Sequence, residues 1–451
     1  LMYTLVGWAM PRSGADYVFM SRVLHPAVGF VASWHLVFWY MFFVGILANW
    51  VTTLAISPSL LVVGTVTSNQ WLVGLANSAA QPQNVLIIGL LVIVMWTALM
   101  LRGARVVFTV NNIMVILAII GVAVTAWLLA TNTNADFVRA FSRYGSYEDV
   151  IAAAHAAGYS PQGPNPLLGT LGVMPYVYFS TGFGIITTYF GGEIKAVKKN
   201  LFYSQMLAVF VVGGMLAVLG ALSINVFGYD FLGSITQLGY SSAAEYPFTV
   251  PPFFNLFVSL LTTEPVIIWI IAISFIAAIA IVVGCVYIIG TRCIFAWAFD
   301  RVVPTKFATL NDRTHAPVYA IIVVALVQTI GLAGYTYGSP TFLSLASGAS
   351  LVENFVFMIV CVAAIMYPFV QKESYEKSMA NIRVGAIPLI CIAGVVSFVF
   401  YSIIQYFFIT NPLYGANLPV VWEAAAVSVF SGLAVLIGSY YYHKGKGADL
   451  F

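Results

Sequence analysis

The segment between Arg22 and Arg102 contains no Asp, Glu, Lys or Arg. A water-soluble core does not run so far without a charge, whereas each helical crossing of a bilayer needs about 20 apolar residues. The whole chain has the same character, with 61% hydrophobic and only 7% charged residues, where soluble domains carry about 25% charged residues. The sequence therefore predicts an all-α, polytopic integral membrane protein.

Ten apolar stretches have the length of a bilayer crossing, and a shorter one precedes them. The short stretch, residues 1–10, covers about half of a ~30 Å hydrocarbon core at ~1.5 Å per residue, so we expect the chain to lack the beginning of this helix. We expect residues 1–451 to form a single transmembrane domain. The ten complete stretches are predicted at residues 27–52, 85–101, 106–130, 168–190, 203–227, 264–290, 317–336, 342–369, 385–409 and 419–442.

The distribution of Lys and Arg predicts the orientation of these stretches. If the loop at Arg12 and Arg22 is cytoplasmic and each stretch crosses once, sixteen of the eighteen basic residues are cytoplasmic, and only Arg139 and Arg143 are outside. Basic loops near span ends stay in the cytoplasm. We therefore expect a multi-pass protein of the plasma membrane, with two long outer connections at 131–166 and 228–263. These connections could cover an outer vestibule or be ordinary solvated loops.

Residue patterns typical of catalysis are absent from the sequence. The five histidines are scattered, and no HExxH, GxSxG or glycine-rich phosphate loop occurs. We therefore expect no enzyme activity, no bound metal or cofactor and no nucleic-acid partner; the bilayer and a small molecule are the expected partners, with the oligomeric state open. The four cysteines lack metal or redox spacing and are predicted to be packing residues: Cys285, Cys293, Cys361 and Cys391.

The stretch 168–190 is predicted to be a discontinuous helix. It contains Pro175, the Ser180-Thr181 pair, Gly182 and Gly184, all of which lower helical propensity or offer competing hydrogen bonds. A broken helix persists in lipid only where it is buried in protein or lines a wet cavity. Transporters use such breaks to bind polar substrates at mid-membrane. The alternative is a kinked helix whose glycines only permit close packing.

Polar residues within the predicted spans are the second place to look for function. Glu353, followed by Asn354, lies in the middle of a span, where a carboxylate costs roughly 2.5–3.5 kcal/mol on insertion scales. It is our candidate for a proton-carrying or cation-contacting group, the alternative being a carboxylate with a structural partner. His35 and Asn49 are predicted to form hydrogen bonds between helices.

Three motifs in the basic loops resemble the amino acid/polyamine/organocation superfamily of transporters, in particular its amino acid permeases. The first is Pro11-Arg12-Ser13-Gly14-Ala15-Asp16-Tyr17 with His25-Pro26, which is similar to the family's loop after its second helix. Gly192-Glu193-Ile194-Lys195 resembles the end of its sixth helix, and Thr291-Arg292 through Pro304 resembles its loop after the eighth. The motifs occur in the family's order, and the resemblance covers essentially the whole chain.

The resemblance implies a five-plus-five inverted-repeat transporter fold with two extra C-terminal helices, in which the first helix and half of the second are absent from this chain. It implies transport of amino acids or related amines by alternating access. Alternatives are a polyamine or organic cation transporter of the same fold, and a non-transporting receptor or scaffold subunit. Substrate contacts are carried over to six residues of the broken sixth helix: Phe179, Ser180, Thr181, Gly182, Phe183 and Gly184.

The coupling ion is expected to be H⁺ or Na⁺. Some members of the family carry a lysine in the fifth helix that stands in for a cation, and Ala118 occupies that place here. Sodium coupling in this family uses hydroxyl oxygens on the eighth helix, where Ser274 is the only one well inside the span.

Overall fold

The fold was obtained as a computed structural model, which describes residues 1–161, 165–241, 243–248, 251–338, 345–411, 414 and 418–447. The predicted start at 342 of one span, and residues 162–164 of one outer connection, lie outside the described residues. The first nine helices along the chain are α1 (Met2–Ala9), α2 (Ala15–Val23), α3 (Pro26–Trp50), α4 (Ser57–Val66), α5 (Gln70–Ala79), α6 (Pro82–Leu101), α7 (Ala104–Thr131), α8 (Asn134–Phe141) and α9 (Tyr147–Ala156).

The second part of the chain is also helical, apart from strands β1 (Arg383–Val384) and β2 (Ile387–Pro388), which pair antiparallel. Its helices are α10 (Pro166–Gly172), α11 (Met174–Thr181), α12 (Val197–Phe227), α13 (Tyr229–Tyr240), α14 (Phe254–Ser259), α15 (Pro265–Phe299), α16 (Val318–Tyr337), α17 (Leu345–Val370), α18 (Lys372–Lys377), α19 (Leu389–Thr410) and α20 (Pro419–Gly445). Gly182–Tyr189, here called the 3₁₀ segment, follows α11, and a second 3₁₀ turn covers Thr305–Ala308.

The all-α polytopic fold is confirmed. Among the described residues, nine helical stretches are long and apolar enough to cross a membrane. They coincide with nine of the ten predicted stretches, and the tenth, 168–190, is divided into α10, α11 and the 3₁₀ segment.

The stretch predicted at 27–52 is longer in the structure, because a π-helical turn at Val51–Ile56 joins α3 to α4. Pro58 lacks an N–H, and its ring clashes with the carbonyl four residues back in a regular α-helix. A wider turn relieves this clash, and the Ser57 N–H bonds to the Thr52 carbonyl five residues back. The apolar residues after 52 therefore continue the helix to Val66.

Helix α3 lies at the centre of the bundle and packs against α2, α6, α15, α16, α17 and α20. The two interhelical hydrogen bonds predicted for this helix are confirmed. His35 Nδ1 lies 2.5 Å from Ser428 Oγ of α20, and Asn49 Nδ2 donates to Thr336 Oγ1 of α16 at 3.0 Å. Paired polar groups such as these fix the contact faces of helices that lipid alone would not order.

The predicted cytoplasmic loops meet at one end of the bundle, which we call the basic face: residues 11–25, 102–103, 190–196, 300–317 and 371–388. Arg22 lies 3.7 Å from Asp300, and Gln371 Nε2 donates to the Arg22 carbonyl at 2.8 Å. Arg292 and Glu193 form an ion pair at 2.9 Å. These contacts between distant parts of the chain match the arrangement that the charge distribution predicts.

The two predicted outer connections contain four short helices and pack together at the opposite face, and residues 242 and 249–250 of the second lie outside the described residues. Their helices α8, α9, α13 and α14 enclose a separate apolar cluster in which Phe137 and Phe231 are fully buried. Tyr147 stacks on Phe231 with ring centroids 4.5 Å apart, and its hydroxyl donates to the Phe227 carbonyl at the end of α12. We call this packed unit the outer cap.

The crossing of α3 and α16 predicts a specific stability effect. A Cβ at Gly331 would lie 2.6 Å from the Phe42 carbonyl oxygen, while a Cβ at Gly213 in α12 would meet nothing within 4 Å. We expect Gly331→Ala to cost about 1–3 kcal/mol through overpacking against the backbone. Gly213→Ala, the matched control, is expected to gain up to about 1 kcal/mol of helix propensity. Thermal unfolding of the detergent-solubilised protein measures both, and equal stability of the two variants would contradict the packing.

Candidate functional site

The predicted discontinuity in the 168–190 stretch is confirmed. Helix α10 ends at Gly172, α11 begins at Met174 with Pro175 in its first turn, and the tighter 3₁₀ segment starts at Gly182. A 3₁₀ run of eight residues is unusually long. Hydrogen bonds in such a segment have poorer geometry than those in an α-helix.

Two hydroxyl side chains mark the end of α11. Ser180 Oγ donates to the Tyr176 carbonyl at 2.9 Å, and Thr181 Oγ1 donates to the Val177 carbonyl at 2.8 Å. Such bonds compete with the regular helical ladder, and Gly182 follows directly. The break therefore has a local cause in the sequence.

The broken span borders a cavity of about 770 Å³. Four of the six predicted substrate-contacting residues lie in its wall: Phe179, Ser180, Phe183 and Gly184. Thr181 and Gly182 are not among the described lining residues; Gly182 faces the ring of Tyr178, which a Cβ would approach to 3.2 Å. The remaining wall comes from α7, α12 and α15, including Asn111, Ser204 and Cys285.

An aromatic contact ties this wall to the central helix. Phe179 packs edge-to-face against Phe43 of α3 at 6.3 Å and against Phe183 at 5.4 Å between ring centroids. The position of this part of the cavity wall therefore depends on the packing of α11 against α3.

Glu353, the predicted coupling residue, is buried in α17 with 4% of its surface exposed. The Tyr40 hydroxyl of α3 donates a short hydrogen bond to its Oε1. The Tyr178 hydroxyl of α11 interacts with the same carboxyl without reaching full hydrogen-bond geometry. Among the described residues, no Lys, Arg or His lies within 4.0 Å of it. The carboxyl therefore has tyrosine partners and no counter-cation there.

Its neighbour Asn354 anchors α17 to α19. Asn354 Nδ2 donates to the Tyr401 carbonyl at 2.8 Å and to Gln405 Oε1 at 2.6 Å. Both amide side chains are buried. The pair Glu353-Asn354 thus connects α17 to α3 on one side and to α19 on the other.

Asp16 belongs to the first of the three motifs, but its residue type and position alone do not predict a role in the site. This α2 residue has 0% of its surface exposed, and its carboxyl accepts hydrogen bonds from the Tyr189 hydroxyl at 2.8 Å and from the Tyr17 N–H at 3.0 Å. Burial raises the pKa of Asp16 from 3.8 to about 6, and the two hydrogen bonds partly offset this rise. One signal was available: Asp16 is the only acidic residue before Asp136.

A smaller cavity of about 320 Å³ adjoins the first one at the basic face. The two cavities share four lining residues: Phe108, Phe190, Glu193 and Ile288. Glu193 lies in this shared wall, and its partner Arg292 lines the smaller cavity. A polar group moving between the cavities would therefore pass a compensated pair of charges.

Ser274, the one hydroxyl that sodium coupling could use on this helix, points its proton back along its own helix. Its Oγ donates to the Ile271 carbonyl at 2.8 Å, and it lies where a Cβ at Gly121 would clash. It is not among the described residues that line the large cavity.

Comparison with known protein families gives one finding that spans the chain. The family model described as amino acid permease matches residues 2–447. Comparison with curated proteins gives no significant match. The matched family is a family of transporters, and its members are embedded in membranes and move small molecules.

The Tyr40–Glu353 hydrogen bond predicts a stability effect in the bundle core. Tyr40→Phe removes the donor and leaves a buried carboxyl oxygen without it, which we expect to cost about 1–3 kcal/mol. Tyr203→Phe, at a tyrosine of α12 that is 54% exposed, is the control and should change stability little. Thermal unfolding in the same detergent compares the two. A Tyr40→Phe protein as stable as the parent would show that the hydrogen bond contributes nothing.

Proposed function

The chain belongs to the amino acid permease family, and we propose that it is a secondary active transporter that moves amino acids by alternating access. The observation that carries this proposal is the discontinuous helix beside a cavity that α7, α11, α12 and α15 line together. At such a break the end of one helix offers carbonyl oxygens and the start of the next offers N–H groups. These groups match the ammonium and carboxylate of an amino acid, and binding roles for all six residues from Phe179 to Gly184 follow from this proposal.

The charges around the cavity favour an amino acid over a polyamine. Among the described lining residues the only carboxylate is Glu193, and Arg292 pairs with it at 2.9 Å. A polyamine carries several positive charges and needs uncompensated acidic groups close by. A zwitterion needs only the neutral, dipolar surroundings that the break supplies.

We propose H⁺ as the coupling ion and Glu353 as the group that carries it. Its carboxyl is buried, has no cation partner among the described residues, and contacts Tyr178, the residue before Phe179 in the cavity wall. A change in the protonation of Glu353 would therefore act on α11 directly. Ser274, by contrast, is not among the described residues that line the cavity, so the only hydroxyl well inside that helix lies away from the proposed substrate site.

We further propose that the basic face is cytoplasmic and that the protein lies in the plasma membrane as one transmembrane domain. Arg12, Arg22 and Arg301 are among the basic residues gathered at that end. Retention of basic loops in the cytoplasm during insertion supports this orientation.

Uptake into proteoliposomes tests the proposed activity. Purified full-length protein in a sealed vesicle, with an inward proton gradient, should accumulate at least one radiolabelled amino acid above its external concentration. Collapse of the gradient with a protonophore should abolish accumulation but leave exchange of labelled for unlabelled substrate. No accumulation of any of the common amino acids under proton or sodium gradients would reject the proposal.

Replacement of Glu353 tests the coupling role. Glu353→Gln keeps the size and an acceptor oxygen for Tyr40 but cannot release a proton, so gradient-driven uptake should fall while substrate exchange persists. Glu423→Gln, at an exposed glutamate of α20, is the matched control and should leave uptake unchanged. A Glu353→Gln protein whose uptake keeps the parent's pH dependence would exclude Glu353 as the coupling group.

A further inference from the structure

A second buried carboxyl lies where the broken span meets the basic face. Asp16 Oδ2 accepts a hydrogen bond from Tyr189, the last residue of the 3₁₀ segment, at 2.8 Å. Next to it, Ser13 and Phe190 form an isolated antiparallel bridge. We call Ser13, Asp16, Tyr189 and Phe190 the Asp16 clasp. It joins the loop after α1 to the end of the segment whose other end borders the large cavity.

The clasp is closely packed, so its two sides cannot separate by a side-chain movement alone. Gly191 follows Phe190, and a Cβ there would lie 3.2 Å from the Arg12 backbone nitrogen. The Asp16 and Tyr189 side chains are both fully buried. Separation of the two strands of backbone would therefore expose the Asp16 carboxyl to water.

Ionisable groups face Asp16 from every element packed against α2. They are Tyr3 of α1, Tyr40 of α3, Tyr189 of the 3₁₀ segment, Cys293 of α15 and Glu353 of α17. In α2 itself, the Tyr17 hydroxyl donates to Asp300 instead. None of these groups is a cation at neutral pH. Arg22, the basic residue of α2, is paired with Asp300 instead. Within the described part of the chain, a charged Asp16 thus has hydrogen-bond donors but no counter-ion.

We propose that Asp16 is a proton-binding group whose protonated form holds the clasp closed and whose ionised form lets the 3₁₀ segment separate from the loop after α1. The interpretation of this separation as opening of the basic face during transport rests on the proposed function. The titration of the clasp itself does not. The physical reason is solvation, since an ionised carboxyl gains water contacts when the clasp opens and a neutral one gains little.

The sign of the pH effect follows from the two surroundings of the carboxyl. In the closed clasp the pKa of Asp16 is about 6, and in contact with water it returns to about 3.9. Because the Asp16 carboxyl has a higher pKa in the closed clasp than in the open one, it binds a proton more tightly when the clasp is closed. A fall in pH therefore favours the closed form. Between about pH 7.5 and about pH 5 the closed-to-open ratio should rise roughly tenfold.

Spin-label distances across the clasp test the proposal. Nitroxides attached through Arg12→Cys and Lys195→Cys, at exposed positions on its two sides, report the separation in the full-length protein with its four native cysteines replaced. The short-distance population should increase as the pH falls. In Asp16→Asn, a permanently neutral isostere, the short distance should dominate at every pH.

The matched control is Asp300→Asn. Asp300 also accepts a hydrogen bond from a tyrosine, Tyr17, at 2.8 Å, but its side chain is 36% exposed. This variant should keep the parent's pH response. A pH response that persists in Asp16→Asn, or a parent without one, would overturn the proposal.

A second variant keeps the test decisive if Asp16→Asn does not fold. Tyr189→Phe removes a donor that stabilises the ionised carboxyl, so the midpoint of the pH response should move upward. An unchanged midpoint would contradict the assignment of the pH response to the Asp16 carboxyl. Since no substrate is added, the measurement is independent of whether any amino acid is transported, and uptake could fail while the clasp still titrates.

Discussion

The exclusion of water from the interior of the bundle is the constraint on which the rest of the structure depends. Every polar group brought into that interior needs a partner from the protein itself. The central helix α3 supplies several, including His35 to Ser428, Asn49 to Thr336 and Tyr40 to Glu353. These bonds determine which faces of the helices pack together. Apolar surfaces alone would not specify this, because in a bilayer they contact lipid as favourably as they contact one another.

The same constraint links the cavity to the buried carboxyls. Helix α11 is only eight residues long, and within it Tyr178 contacts Glu353 while Phe179 lines the cavity. The 3₁₀ segment then ends at Tyr189 on Asp16. The broken span thus meets one carboxyl in the middle of α11 and another at the end of the 3₁₀ segment, and the cavity-lining residues Phe179, Ser180, Phe183 and Gly184 lie between these two contacts.

The sequence predicted those features that depend on neighbouring residues or on composition. Apolar runs located nine continuous spans, and the glycines and hydroxyl residues around Gly182 located the discontinuous one. What it could not supply was pairing across the chain. Tyr40 and Glu353 are 313 positions apart, and Asp16 and Tyr189 are 173 apart. The end of the first complete span was predicted at 52 instead of Val66 for a local reason, since the apolar pattern does not record the π turn before Pro58 that joins α3 to α4.

The outer cap has a consequence for how the molecule presents itself to its surroundings. Asn134 Nδ2 and the Tyr147 hydroxyl donate to the Val226 and Phe227 carbonyls, so the cap is fastened to the last turn of α12. The cap also packs on α4, α7 and α15 through α14, so it rests on four of the long helices at once. Relative movements of these helices deep in the bilayer would therefore shift or distort the cap, which acts as a platform over their ends. A soluble binder raised against that platform would be able to distinguish conformations of the bundle without ever entering its interior.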